Sequence, residues 1–169
     1  TWNNTGYFYF RVQGKNGSYD PDTPFSLSVE RQGNICEGVL DEPSSPVAEP
    51  GLGTPRTLIL TDNRRLAAGA FMSRLETLAD RPDVQGHIVN VDEDPAVRAL
   101  NTQADLKSAC PYAKNLVASA IKRIVDAYRK EYPSIQYAVV VGDDNVIPFF
   151  RYPDPALMGN ETLYVPPVR

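Results

Sequence analysis

The 169-residue chain holds a single histidine, His87, and only two cysteines, Cys36 and Cys110. One imidazole and two thiols with no short spacing between them exclude a structural zinc site of the usual kind. Whether the two cysteines form a disulfide stays open at this level, since sequence does not show how closely their Cα atoms approach. Basic clusters are missing too: nothing is longer than Arg64-Arg65, and 17 basic against 21 acidic residues give a net charge of -4. That leaves no electrostatic footprint for nucleic acid. No apolar run approaches the roughly 18 residues that cross a bilayer, so no membrane span is expected. The opening TWNNTGYFYF has neither the basic start nor the cleavage site of a signal peptide. With threonine at its head, the chain is expected to be a mature or excised segment of something longer. Neither GxGxxG nor GxxxxGK[ST] occurs after the first apolar strand, where TDNRRLAAGA stands, so a nucleotide would find no backbone cradle.

What is present is enough apolar content, 42%, for a real core. Residues 1–40 alternate aromatic and polar residues, and Phe25, Leu27 and Val29 share one face at period two. Two antiparallel strands and a loop are expected there, the end of a β-sandwich-like domain whose sheet is completed elsewhere. Residues 41–56 follow as a linker: DEPSSPVAEPGLGTP carries four prolines, two glycines and no periodicity. It reads either as a domain boundary or as an ordered strap lying flat across the surface.

From residue 57 to 169 the pattern is α/β. Thr57 to Thr61 (TLILT) reads as a buried strand, and Leu66, Phe71, Leu75 and Leu78 then recur at helical spacing until Pro82. His87 to Val91 is a second strand. DEDPAVRALNTQADLKSACP reads as a polar crossing segment, followed by a long helix from Tyr112 to Tyr132. Its apolar stripe is Leu116, Val117, Ala120, Ile121, Ile124, Val125 and Tyr128, and Pro133 stops it. Tyr137 to Val141 offers no polar face, which predicts a central strand covered on both sides. Strand, helix, strand, helix, strand means right-handed crossovers: an incomplete three-layer, Rossmann-like domain on a parallel sheet.

The candidate site lies where strands end. The first strand exits into TDNRR and the third into GDDN, so Asp62, Gly142, Asp143 and Asp144 fall at the carboxyl edge, where such sheets bind ligands. These carboxylates could take a hard cation, with calcium the open choice, or orient a substrate group. Alternatively they satisfy free amides at the turns. Of the adjacent pair, Asp143 is expected to face inward and Asp144 to bind local amides. His87 opens its strand rather than closing it, which sets it about 17 Å from those exits. Cys110, before Pro111 at a helix start, would gain stabilisation as a thiolate, yet no base is near it in sequence; packing is the plainer use for it and for Cys36.

The segments YAVVVGDDNVIPFFRYPDP, AYRKEYPSIQ and TLILTDNRRL together resemble the front of the gingipain-like, caspase-fold cysteine peptidases, whose signature is a strand followed by VGD-x-x-x-IP. Separately, TGYFYFRVQGKNGSYDPDTPFSLSV resembles the final strands of the bacterial pre-peptidase carboxy-terminal β-sandwich. The resemblance implies a caspase-like fold, a bacterial protein that is secreted or on the cell surface, and a polypeptide substrate. Gly142, Asp143, Ile147 and Pro148 match the motif and mark the edge on which an active site would be assembled. Members of that family use a histidine in a G-H-G context and a cysteine after a later apolar strand. This sequence has neither, so no catalytic residue is assigned and the dyad is expected downstream, beyond Arg169. No cofactor is implied. The rival reading is a non-catalytic α/β module that pairs with a second chain, or with the remainder of its own precursor.

Overall fold

TLILT can bury itself only if both faces are covered, and it forms the middle of the sheet. In the computed structural model, which describes residues 35–66 and 71–152 and positions 14, 17, 20, 22, 23 and 26, all five residues of β1 (Thr57–Thr61) are buried. Its two threonines spend their hydroxyls on carbonyls in and just before the adjacent strand: Thr57 Oγ1 donates to Val84 O at 2.8 Å and Thr61 Oγ1 to Val89 O at 3.4 Å. Parallel strands flank it, β2 (Gly86–Asn90) and β3 (Tyr137–Val140), in the order β2-β1-β3. Ile59 stands opposite Ile88 on one side and Val139 on the other. The α/β class with a parallel sheet is therefore as read. The antiparallel strands expected in the first 40 residues, like everything after residue 152, lie outside the described residues.

Period two divides β1 between two cores. Leu58 and Leu60 point to the face covered by α2 (Pro95–Leu106) and α3 (Pro111–Glu131), joining Val97, Leu100, Val117 and Ile121. Ile59 points the other way, to Leu75 and Ala79 of α1 (Met72–Ala79) and to Val141. Helices thus cover both faces of the sheet.

α2 occupies the stretch read as a polar crossing. Its burial rests on the narrow row Val97, Leu100 and Ala104, supported by Ala96 and Asn101, and charged and amide neighbours hide that row from a hydrophobicity reading. The overlooked cue is Asp94-Pro95. Asp94 Oδ1 accepts the amides of Ala96 at 2.8 Å and Val97 at 3.1 Å, and Pro95 takes the first helical position, where no amide is needed.

β3 differs from expectation. Among the described residues it is an edge strand, and all four of its residues are exposed, Tyr137 by 57% and Val140 by 41%. Its apolarity was read as double coverage, but α1 lies over β1 and β2 while α3 packs on α2. Only Val141, just past the strand, is buried.

The proline-rich stretch lies as an ordered strap along the surface of α2 and α3. Leu40 exchanges two hydrogen bonds with the Gln103 amide, at 2.9 and 2.8 Å, as a neighbouring strand would. Arg123 donates to Glu42 O at 3.1 Å, Tyr132 Oη to Glu49 O at 2.6 Å, and Ala48 is buried against the α2–α3 core. Upstream, a Cys36–Cys110 disulfide ties the strap's beginning to the start of α3.

Candidate functional site

The chain leaves β1 through Asp62, which is completely buried. Its carbonyl accepts the amides of Arg65 and Leu66, closing a turn, while Oδ1 accepts the Arg65 amide at 3.0 Å. Oδ2 accepts Asn101 Nδ2 at 3.2 Å and lies 3.7 Å from Arg65 Nε. Burial pushes the Asp62 carboxyl above the usual carboxylate range, against the pull of the Arg65 amide and guanidinium. The turn-satisfying use of Asp62 is therefore realised.

Arg65 gathers the surrounding elements. From the loop after β1 its guanidinium reaches Asp105 on α2, at 2.7 and 2.9 Å, and the carbonyl of Asn145 after β3, at 2.9 Å. Nothing in the dipeptide Arg64-Arg65 announces this.

The exit from β3 needs glycine, because Gly142 has φ +108°. Beyond it, Asp143 and Asp144 take opposite parts to those expected. Asp143 stays local: Oδ1 accepts the Asn145 amide at 2.9 Å, and its carbonyl accepts those of Val146 and Ile147. Asp144 is the one that reaches across. Its Oδ1 accepts the Phe149 amide at 2.9 Å, and its Oδ2 pairs with the Arg151 guanidinium and lies 3.6 Å from Lys114 Nζ. Partial burial pushes the Asp144 carboxyl up, but the Phe149 amide, Arg151 and Lys114 outweigh it, so its pKa falls below the usual value. The reversal has a simple cause: both carboxylates can cap an amide, and only the fold shows which stands opposite the cations. Asn115 of α3 fixes that loop by exchanging hydrogen bonds with the Arg151 backbone at 2.7 and 2.8 Å.

Asp144→Asn is expected to cost about 1 kcal/mol at neutral pH, a charge-assisted bond discounted for solvent access, whereas Asp143→Asn, which keeps an acceptor for Asn145, changes little. A depressed folded-state pKa stabilises above the unfolded value of about 3.9 and ceases to do so as pH falls through the folded one. The gap between wild type and Asp144→Asn in urea melts should therefore close in acid. Equal costs for the two variants at neutral pH would contradict the assignment.

Between these loops and the helices lies a half-open cleft of about 210 Å³, lined by Arg65, Asn101, Asp105, Ser108, Lys114 and Asp144. It sits at the carboxyl ends of β1 and β3, where the strand order 2-1-3 reverses and the connections diverge to opposite faces. Sequence located Asp144 on its rim but not Arg65, Asn101, Asp105 or Lys114. Which helical side chains reach the strand exits depends on helix rotation, which no local motif encodes.

The remaining candidates stand apart. Cys36 and Cys110 are bonded to each other, and Cys110 Sγ also accepts the Ala113 amide at 3.3 Å as the cap of α3. His87, opposite Leu58 near the start of β1, stacks on Tyr128 at 5.4 Å with Nε2 3.4 Å from Glu49 Oε2. Burial pushes its imidazole below the ordinary range, and Glu49 opposes this only in part. The unfolded chain then takes up the proton first, so stability present above about pH 6.5 is lost as pH falls through the lowered folded value. As His87 is the only histidine, His87→Gln should flatten the fall in melting temperature between about pH 7 and about pH 5. An unchanged slope would show that another group governs it.

Among the described residues no group of three or more His, Cys, Asp or Glu side chains is arranged to hold a metal ion, so the calcium alternative gains no ligand set there. Among them also, no helix is long and apolar enough to cross a membrane. No family model, no curated protein and no solved structure matches the chain.

Proposed function

We propose that this chain is the front part of a bacterial cysteine peptidase of gingipain-like, caspase-like fold, inactive alone and completed by a histidine and a cysteine from downstream. The observation that carries the reading is β3: four residues without a charge, exposed, at an edge of the sheet that is open among the described residues, ending on the VGD-x-x-x-IP turn. A parallel strand of this composition suits a central position. Further strands of the same domain would cover it, and the acidic edge would then form part of a larger cleft for a polypeptide substrate. The disulfide adds support for a secreted or surface location, since such bonds persist in oxidising compartments. It also leaves neither cysteine as a thiolate.

The test is peptidase activity of this chain and of a version extended by about 150 residues of its precursor, a typical domain length, each with and without a thiol alkylator. Alkylator-sensitive cleavage by the longer protein alone is expected. Cleavage by the short chain after both cysteines are replaced would defeat the assignment. The same open edge favours the second reading, a non-catalytic module that pairs with another chain. In that case light scattering would show a stable complex, and the extended protein would cleave nothing.

A further inference from the structure

We propose that the Cys36–Cys110 disulfide is a redox latch: its reduction by a dithiol frees residues 37–47 of the strap, while residues 48–56 and the α/β core stay in place. The inference stands on how unequally the two halves of the strap are attached and does not rest on the peptidase reading. Residues 37–47 are held by polar contacts at the surface. Leu40 pairs with the Gln103 amide, and Arg123 reaches Glu42 O at 3.1 Å, Ser44 Oγ at 3.3 Å and the Asp41 carboxylate at 3.9 Å. Val39 is half-buried against the core, but Leu40 and Val47 are 72% and 87% exposed. Exposed hydrogen bonds exchange readily for bonds to water, so they offset little of the chain entropy gained on release.

The second half is anchored differently. Ala48 is buried and Leu52 packs on the same core. Tyr132, itself buried, donates its hydroxyl to Glu49 O at 2.6 Å and accepts the Leu52 amide at 3.4 Å. Pro55 is buried, and the backbone of Arg56 is bonded to Gln85 and Gln136 at the head of the sheet. The boundary between the halves falls just before Ala48, where Ser45 and Val47 are exposed.

The exchange chemistry is asymmetric as well. Cys110 is fully buried and Cys36 half-buried, so a thiolate attacks Cys36 Sγ and the bond to Cys110 Sγ breaks. Cys110 Sγ accepts the Ala113 amide at the head of α3, which stabilises it as the departing thiolate. The second thiol of the reductant then attacks the mixed disulfide and releases Cys36. The dithiol gives up two electrons and two protons and becomes a disulfide, and both cysteines end as thiols. Position 36, pinned to α3 in the oxidised protein, then hangs on residues 37–47, which reach about 37 Å when extended. Whatever precedes it is thereby uncoupled from the α/β domain.

The experiment follows backbone relaxation of the ¹⁵N-labelled full chain before dithiothreitol, after it, and after reoxidation. On reduction the order parameters of residues 37–42 and 47 are expected to fall from about 0.85 to below about 0.6. Those of residues 48–52 and of the three strands should not change, and reoxidation should restore the first set. Cys36→Ser should show the reduced pattern with or without reductant; should it not fold, the reduced wild type carries the same test. Brief exposure to glutathione, quenched with acid, should leave the mixed disulfide on Cys36, located by peptide mass. Order that persists through residues 37–47 after reduction, loosening that runs on through 48–52, collapse of the core's dispersed shifts, or a glutathione adduct on Cys110 would overturn the proposal.

Discussion

Cys36→Ser lowers the free energy of unfolding by about 3 to 4 kcal/mol, the largest effect expected from any single change outside the core. The bond joins positions 74 residues apart. Cross-linking over that separation removes loop entropy from the unfolded chain worth roughly 4 kcal/mol, an upper figure because real unfolded chains are already restricted. The strap's other attachments do not replace it. The Gln103 and Arg123 contacts are exposed or half-buried, where each hydrogen bond contributes about 1 kcal/mol or less. Cys36 is the residue to change, because Cys110 is fully buried and also caps α3, so its loss would mix two effects. In urea melts, reduced wild type should coincide with Cys36→Ser, and reductant should not move the variant. A loss below about 1 kcal/mol would mean that the strap holds by its own contacts.

The parts of the fold that sequence revealed are those where one pattern had one physical solution. TLILT reads as a buried strand and is buried at the middle of the sheet, and the stripe from Leu116 to Tyr128 is buried along α3 except for half-buried Val125, up to the stop at Pro133. α2 escaped because its buried row is three residues wide in a polar segment, and its strongest signal was the cap Asp94-Pro95 rather than hydrophobicity. β3 shows the converse: composition reports what a strand is suited to, and coverage depends on what packs against it. The strap could not be separated from a free linker, since prolines favour extension in both. What holds it down, Gln103, Arg123, Tyr132 and Cys110, belongs to other elements.

The site was legible to a similar depth. Strand exits are local, so Asp62, Asp143 and Asp144 were found at the carboxyl edge. Their division of labour was not, because it follows from Arg151 and from Lys114 on α3, one turn into a helix whose rotation is set by its apolar face. Arg65, which bridges the loops after β1 and β3 and helix α2, lay inside the motif region without any feature that marked it.

The glycine of the VGD turn allows this dependence to be tested. Gly142→Ala is expected to destabilise the protein by about 2 to 4 kcal/mol, through two separable causes. At φ +108° a side chain is strained whatever space surrounds it, a cost of about 1 to 3 kcal/mol. The added Cβ would also stand 2.7 Å from Val146 Cβ and 2.9 Å from both its methyl groups, so the turn that Asp143 closes onto Val146 must open. Val146 branches at the clashing atom and cannot rotate out of the way. Val146→Ala in the Gly142→Ala background removes the two methyl contacts but leaves the 2.7 Å approach of the two Cβ atoms and the backbone strain. A double-mutant cycle in urea should therefore show favourable coupling of about 1 kcal/mol, recovering part of the loss. Full recovery would mean that neither the backbone conformation nor the remaining Cβ approach is costly, and no recovery that the methyl overlap relaxes freely. A single-variant loss below about 0.5 kcal/mol would show that neither strain nor overlap requires glycine at the head of the motif.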